Sequence, residues 1–288
     1  MNYIQEFDEK ESVKSVKKAP ILAFVSIKGG VGKTTLAIET ASALANHFGK
    51  RVLLVDGNFS APTIGLYLDL TDKDRYDVTL HDALFGIGLH NAIYESHGFD
   101  VVPAALEYKN DIDVFRLEKI LNKMRYRYDF IILDSSPNHE ELKPIIAAAD
   151  KVFVVTTPDE PTLITSLKAA KFARQQQTPV AGIIVNRIRS PKHEMNLDEI
   201  EKTSGIPVVA RIKDHDKIAA ATFNKEPMTL HDEENVISHE IKNFASALCG
   251  TPEKPRGFFQ RLLPFRDLFK KEEVNREIMR QNMYEEQI

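Results

Sequence analysis

Lys28-Gly29-Gly30-Val31-Gly32-Lys33-Thr34-Thr35 follows the apolar run Ile21 to Val25 and precedes Leu36-Ala37-Ile38-Glu39-Thr40-Ala41, so a glycine-rich turn joins a predicted strand to a predicted helix. Glycines at 29, 30 and 32 can take backbone angles that other residues avoid. Successive N–H groups, that of Val31 included, can then point inward around an anion at a helix N-terminus, where the dipole already favours negative charge. This is a phosphate cradle. At this spacing Lys33 reaches the β- and γ-phosphates, and the Thr34 hydroxyl is the natural Mg²⁺ ligand, because magnesium in nucleotide sites takes few protein oxygens. Thr35 either packs or contacts the α-phosphate.

Outward from the loop, short β-branched runs alternate with helical patterns from Ile21 to about Gly250. That alternation predicts an α/β fold, a mostly parallel central sheet with helices on both faces. Strands are expected at Ile21–Ser26, Arg51–Asp56, Asp100–Pro103, Phe130–Asp134, Val152–Thr156, Val180–Val185 and Val208–Ala210. The clearest helices are Lys33–Phe48, Val114–Tyr126, Glu140–Ala148, Leu163–Gln176, Asn196–Ser204 and Ile237–Cys249. Ligands of such sheets bind beyond the carboxyl ends of the strands, so strand ends at Ser26, Asp56 and Asp134 converge on one site. Tyr128 to Asp134 is an apolar strand ending in a carboxylate, which beside a phosphate loop reads as the holder of a magnesium-bound water; its alternative is a cap for the next helix.

A strict phosphate loop has glycine five residues before Gly32; here that place is Ile27, and a second lysine, Lys28, follows it. This pattern resembles the deviant Walker A loop of the MinD/ParA superfamily of P-loop ATPases. The resemblance covers about Ile21 to Gly250. It implies ATP and Mg²⁺ as cofactors, a homodimer in the ATP-bound state, and a role for Lys28 across the dimer interface at the partner's nucleotide. Asp56-Gly57-Asn58 is similar to the family's first switch, usually Asp-x-Asp: Asp56 matches the aspartate near the metal and its waters, and Asn58 stands where many members have the aspartate that orients the attacking water. An amide can hydrogen-bond a water but cannot take its proton, so slow ATP hydrolysis is expected. The resemblance aligns Asn186 with an adenine-contacting residue, with Arg187 beside it, although an asparagine that merely turns the chain fits equally. Asp214 falls where the family's base-contacting Pro-Glu-Asp lies, without the proline.

Composition narrows the class. The 288 residues, 43% apolar, suffice for a large core, and the net charge of −4 argues against a body coated for nucleic acid. The single cysteine, Cys249, excludes an internal disulfide or Cys-x-x-Cys metal pair and reads as a packing residue. No apolar stretch approaches the roughly eighteen residues of a membrane-spanning helix. The mixed charges of the first residues are unlike a signal peptide, so a cytoplasmic location is expected. The expected organisation is a flexible lead-in at 1–19, an ATPase domain at 20–250, a linker at 251–256 and an amphipathic, charged tail at 257–288.

In the tail, Phe258, Leu262, Phe265 and Phe269 fall at i, i+4, i+7 and i+11, one face of a helix, with Phe259 and Leu263 beside them. Residues 251–271 carry six basic groups against Glu253 and Asp267, a local charge of +4. The segment resembles the membrane-targeting helix of MinD proteins, which implies a peripheral site on an anionic membrane and an ATP-dependent role in spatial positioning or recruitment, as in cell division. A protein that stimulates hydrolysis is implied as well. Pro264 kinks or splits such a helix, and residues 272–288 have a net charge of −3, which anionic lipid repels. A helix docking on the protein's own body or on a partner is therefore the second reading of the tail. For the whole chain the competing readings are a DNA-partitioning ATPase of the ParA type, a metal-cluster carrier of the Mrp type, and a nucleotide-gated scaffold that barely hydrolyses ATP.

Overall fold

The computed structural model describes residues 17–71, 76–107, 112–189 and 192–251. The tail residues Phe258, Phe259, Leu262, Leu263, Phe265 and Phe269 lie outside them.

The sheet has eight strands: β1 (Ile21–Val25), β2 (Val52–Gly57), β3 (Tyr94–Ser96), β4 (Phe99–Val102), β5 (Phe130–Ser135), β6 (Lys151–Thr156), β7 (Val180–Ile188) and β8 (Val208–Lys213). Their spatial order is β3-β4-β2-β5-β1-β6-β7-β8, and every pairing is parallel except β3 with β4. The helices are α1 (Lys33–Ser42), α2 (Ile64–Tyr67), α3 (Leu80–Phe85), α4 (Leu117–Asn122), α5 (His139–Ala148), α6 (Glu160–Gln175), α7 (Leu197–Ser204), α8 (Asp216–Phe223), α9 (Met228–His231) and α10 (Val236–Cys249).

Side chains alternate across each strand, and here both sides are dry. Ile21, Ala23 and Val25 of β1 join Leu53, Val55, Ile131 and Leu133 in one core, beneath apolar residues of α3 to α7. Leu22 and Phe24 join Leu54 and Ile132 in the other, beneath α1 and α10. In this second core Phe153 stacks edge-on to Phe244 at 5.0 Å and tilted to Phe24 at 5.9 Å, so α10 is anchored to the sheet centre. Local signals bound the helices: Asn196 and Glu199 form a capping box at α7, Asp159 accepts from Thr162 N at α6, and Gly250 takes a left-handed φ of 63° after α10.

Three sequence expectations change. The edge strand β3 was not foreseen, because Tyr94-Glu95-Ser96 is too short to show alternation; a turn with positive φ at His97 and Gly98 pairs it with β4. The expected helix Lys33–Phe48 is α-helical only to Ser42 and widens to a π turn over Ala43–His47. The expected helix Val114–Tyr126 shrinks to a 3₁₀ turn at Val114–Arg116 and α4. Helices α2, α3, α8 and α9 also lacked a periodic signal of sufficient length.

A small buried polar cluster ties the first helix to α9. Glu39 of α1 accepts the backbone N–H of Met228 at 2.6 Å and of Thr229 at 3.0 Å, while the Thr229 hydroxyl donates to Ser42 Oγ at 2.8 Å. Burial, only partly offset by those N–H groups, pushes the Glu39 carboxyl up to about 7 from an ordinary 4.5. The folded state thus holds this proton more tightly than the unfolded chain. Stability from Glu39 is full below the unfolded value and is lost as pH rises toward 7, by on the order of 3 kcal/mol. Thermal melts at pH 5 and pH 7.5 should show Glu39→Gln losing less stability than the parent over that interval; parallel losses would rule this out.

Candidate nucleotide site

The loop between β1 and α1 opens at Ser26, whose Oγ lies 3.0 Å from Ser166 Oγ and accepts the N–H of Lys28 at 3.2 Å. Gly30 and Gly32 have φ of 76° and 96°, the left-handed values that the cradle requires of them. Lys28, Gly29 and Gly30 are exposed, whereas Lys33, the first residue of α1, is buried. Burial lowers the Lys33 pKa, and the negative charge of Asp134 opposes that shift.

The parallel register of β2 on β5 sets Asp56 beside Asp134. Both carboxyls are fully buried, and burial raises both above the usual carboxylate range. Their mutual repulsion raises Asp56 further, while the Thr34 hydroxyl and Lys33 hold Asp134 down. Thr34 donates to Asp134 Oδ2 at 2.5 Å, and Thr63 stands 3.4 Å behind Thr34. Asp134 Oδ1 is buried and has no hydrogen-bond partner. An orphaned carboxylate oxygen beside a threonine hydroxyl, with a second buried carboxylate alongside, is an all-oxygen set that suits Mg²⁺ and its bound waters.

Asp56 does a second job. Its Oδ1 accepts the N–H of Asn58 at 3.1 Å, and its Oδ2 those of Thr63 and Ile64 at 3.0 Å each, so the switch loop is wound around this carboxylate. Asn58 is buried; its Nδ2 donates to the Ala61 carbonyl, and its Oδ1 has no partner. What remains of Asn58 for a water is Oδ1 and the second amide N–H, neither of them a base. Sequence reasoning missed why residue 57 is glycine: a Cβ there would fall 2.5 Å from the Asp134 carbonyl oxygen and 2.3 Å from Ile145 Cδ1. A glycine between two polar strand-end residues was the available signal.

Asn186, at the far end of β7, is also buried and donates Nδ2 to the Val31 carbonyl at 2.8 Å. The amide thus braces the phosphate loop with one N–H, which leaves Oδ1 and the second N–H for a base. Arg187 beside it is held at a left-handed φ of 58°. Together with Gly32, Thr35 and Asp214 they border a cleft of about 490 Å³, walled by Tyr67, Ile218 and Met228, within the usual range of small-molecule pockets. Asp214 is oriented by Arg189 Nε at 2.6 Å. Tyr67, Ile218 and Met228 carry no motif and could not be found from sequence. The structure thus brings Gly29 to Thr35, Asp56, Asn58, Asp134, Asn186 and Arg187 to one end of the sheet. Gly32→Ala puts a Cβ 2.2 Å from Asn186 Nδ2 at a φ that alanine resists, so it should abolish nucleotide binding in calorimetry, with Gly29→Ala, which meets nothing within 4 Å, as the milder control.

Comparison with known proteins agrees with this geometry. The pattern of the "CobQ/CobB/MinD/ParA nucleotide binding domain" matches residues 22–228. An uncharacterized ATP-binding protein of Methanocaldococcus jannaschii is 30% identical over 239 residues, 81% of this chain and 89% of the relative. The cell division ATPase MinD of Pyrococcus furiosus superposes with a TM-score of 0.73 at 25% identity, covering 79% of this chain and 97% of that one. The Pyrococcus horikoshii septum site-determining protein MinD, solved with Mg-ADP, gives a TM-score of 0.73 at 24% identity, covering 79% and 95%. With phosphate loop, paired carboxylates and family pattern in agreement, the chain belongs to the CobQ/CobB/MinD/ParA family of nucleotide-binding ATPase domains.

Proposed function

We propose that this protein is a MinD-like ATPase that uses ATP as a dimerisation switch. The observation that carries the reading is the pairing of Thr34 with Asp134, whose second oxygen is left without a partner directly beneath the phosphate loop. Thr34 and Asp134 would hold Mg²⁺, which supplies charge neutralisation of the phosphates when bound. The N–H groups of residues 29–35 cradle the phosphates, and Lys33 balances charge at the β- and γ-positions. Asp56 keeps the switch loop folded against the site. Lys28, exposed at the loop's outer edge, is free to face a second copy. Its charge already acts on Asp159, whose carboxyl is raised by burial but held below the usual range by hydrogen bonds from Thr157 and Thr162 and by Lys28. Asn186, Arg187 and Asp214 border the cleft for the base.

Slow turnover is part of the proposal. With one amide N–H given to Ala61, Asn58 can still hydrogen-bond a water but cannot accept its proton. This observation also favours the scaffold reading, in which the ATP-bound dimer is long-lived. The output is membrane positioning or recruitment. Each tail alone would bind weakly, because ordering it offsets much of the ~1.5–3 kcal/mol per buried Phe or Leu. Two tails on one dimer bind far more tightly, since the second attachment is intramolecular. Among the described residues no helix is long and apolar enough to cross a membrane, so the attachment proposed is peripheral. The acidic body and aromatic tail weigh against DNA partitioning, and one cysteine per chain against a cluster carrier.

Size-exclusion with light scattering should give a monomer with ADP, a dimer with ATP and Mg²⁺, and a monomer for Lys28→Ala in both; nucleotide-independent elution would refute the switch. In single-turnover phosphate release, Asn58→Asp should be faster by about tenfold or more. An unchanged rate would strip that position of its role. Vesicles of anionic lipid should pellet the ATP-bound full chain and not a variant ending at residue 250; equal pelleting would remove the membrane from the proposal.

A further inference from the structure

At the pole of the sheet opposite the nucleotide site, a cleft of about 760 Å³ opens between the amino ends of β1, β5, β6, β7 and β8. Its floor is Leu22 and Phe130, and its partly exposed walls include Pro20, Val180, Ala181 and Pro207. Lys17, Lys18, Lys50 and Lys151 stand along it; its one acid, Asp129, is engaged by Arg51 at 2.9 Å. A strand-end cleft that is apolar below and cationic above stands out on a body of net negative charge.

We propose that this cleft receives the protein's own C-terminal segment, with Phe258, Leu262, Phe265 and Phe269 of Gly257–Phe269 as the anchoring face. Three observations select this occupant. Leu248 and Cys249, the last turn of α10, themselves line the cleft, and the described chain ends two residues later at Thr251. From there seven residues reach Phe258, a span of up to roughly 24 Å, so the apolar face starts within reach of the cleft. The segment's apolar face matches the apolar floor and walls of the cleft, and the acids Glu272, Glu273 and Glu277 that follow offset part of the segment's own positive charge beside the lysines. The volume suits anchoring side chains rather than a whole helix, so the polar face with Arg261, Arg266, Lys270 and Lys271 stays in water. The N-terminal stretch 1–16 is joined to Lys17 of the cleft, but it mixes acids and bases without an apolar centre.

The inference rests on the reading of the tail as an amphipathic helix and gives that tail a second berth. The same residues cannot lie in the cleft and in lipid at once, so docking and membrane attachment compete. That competition would keep the tail's aromatic residues covered while the protein is off the membrane.

Cys249, the only cysteine of the chain and part of the cleft wall, is a built-in reporter. In the full chain, without lipid, its modification by a thiol reagent should quicken at least severalfold in Phe258→Asp/Phe265→Asp. It should quicken likewise in Ala181→Glu, which alters the cleft rather than the tail. A photo-crosslinking benzoylphenylalanine at position 265 should label peptides containing residues 17–22, 179–181 or 207–209 of the same molecule. Unchanged Cys249 rates, or crosslinks found only between two copies and only at high concentration, would overturn the proposal, as would labelling of the cleft from the N-terminal stretch instead. Vesicle pelleting is read separately: crosslinking to the cleft without pelleting leaves docking intact and removes the membrane reading, and pelleting without crosslinking does the reverse.

Discussion

Two buried carboxylates packed side by side form an arrangement that a protein keeps only if something else balances it. Asp56 and Asp134 are held in that position by the register of β2 on β5, and both are buried. Lys33 and the Thr34 hydroxyl supply part of the balance, and the wound switch loop supplies three N–H groups to Asp56. One oxygen of Asp134 is still left over. In the proposed reading a divalent cation with its waters would complete the account electrostatically, at the helix N-terminus where the phosphate loop would hold a polyphosphate. Loop conformation, helix start and strand register all serve this one cluster of charge.

The cluster also explains the behaviour of the loop that follows β2. Because Asp56 is occupied in folding residues 58–64, the position of Asn58 is set by the same carboxylate that borders the candidate metal site. One N–H of its amide closes the turn through Ala61, and its Oδ1 has no partner. An amide in this place cannot take a proton from water, and on that the proposal of slow turnover and a long-lived ATP-bound state rests.

The two poles of the sheet are built for different work. At the carboxyl pole, Asn186 from β7 braces Val31, and Met228 is pinned by Glu39 from the helix that begins at the phosphate loop. The cleft beside Asn186 and the phosphate loop thus share supports. At the amino pole, chain entry and α10 exit flank an apolar cleft among lysines. Helix α10 runs from the region of Met228 to that cleft, since Ser238 donates to the Met228 carbonyl at 3.2 Å and Leu248 lines the far end.

The amino-acid sequence by itself determined the phosphate loop, the carboxylates at the ends of β2 and β5 and the layered fold, because each is encoded over a few neighbouring residues. Glycines permit the loop angles of residues 30 and 32, and continuous apolar runs require strands covered on both sides. The tertiary structure alone decided what depends on pieces of chain that meet only after folding: the brace of Asn186 on Val31, the glycine demanded at 57 by the Asp134 carbonyl, the hold of Glu39 on Met228, and the use of Asn58 inside its own turn. The short elements β3, α2, α8 and α9 belong with these, since they hold their shape through partners distant in sequence rather than through any periodic pattern. Local rules settle which conformations a segment can adopt; the register of non-neighbouring strands, which no short window contains, settles which atoms are left over to do chemistry.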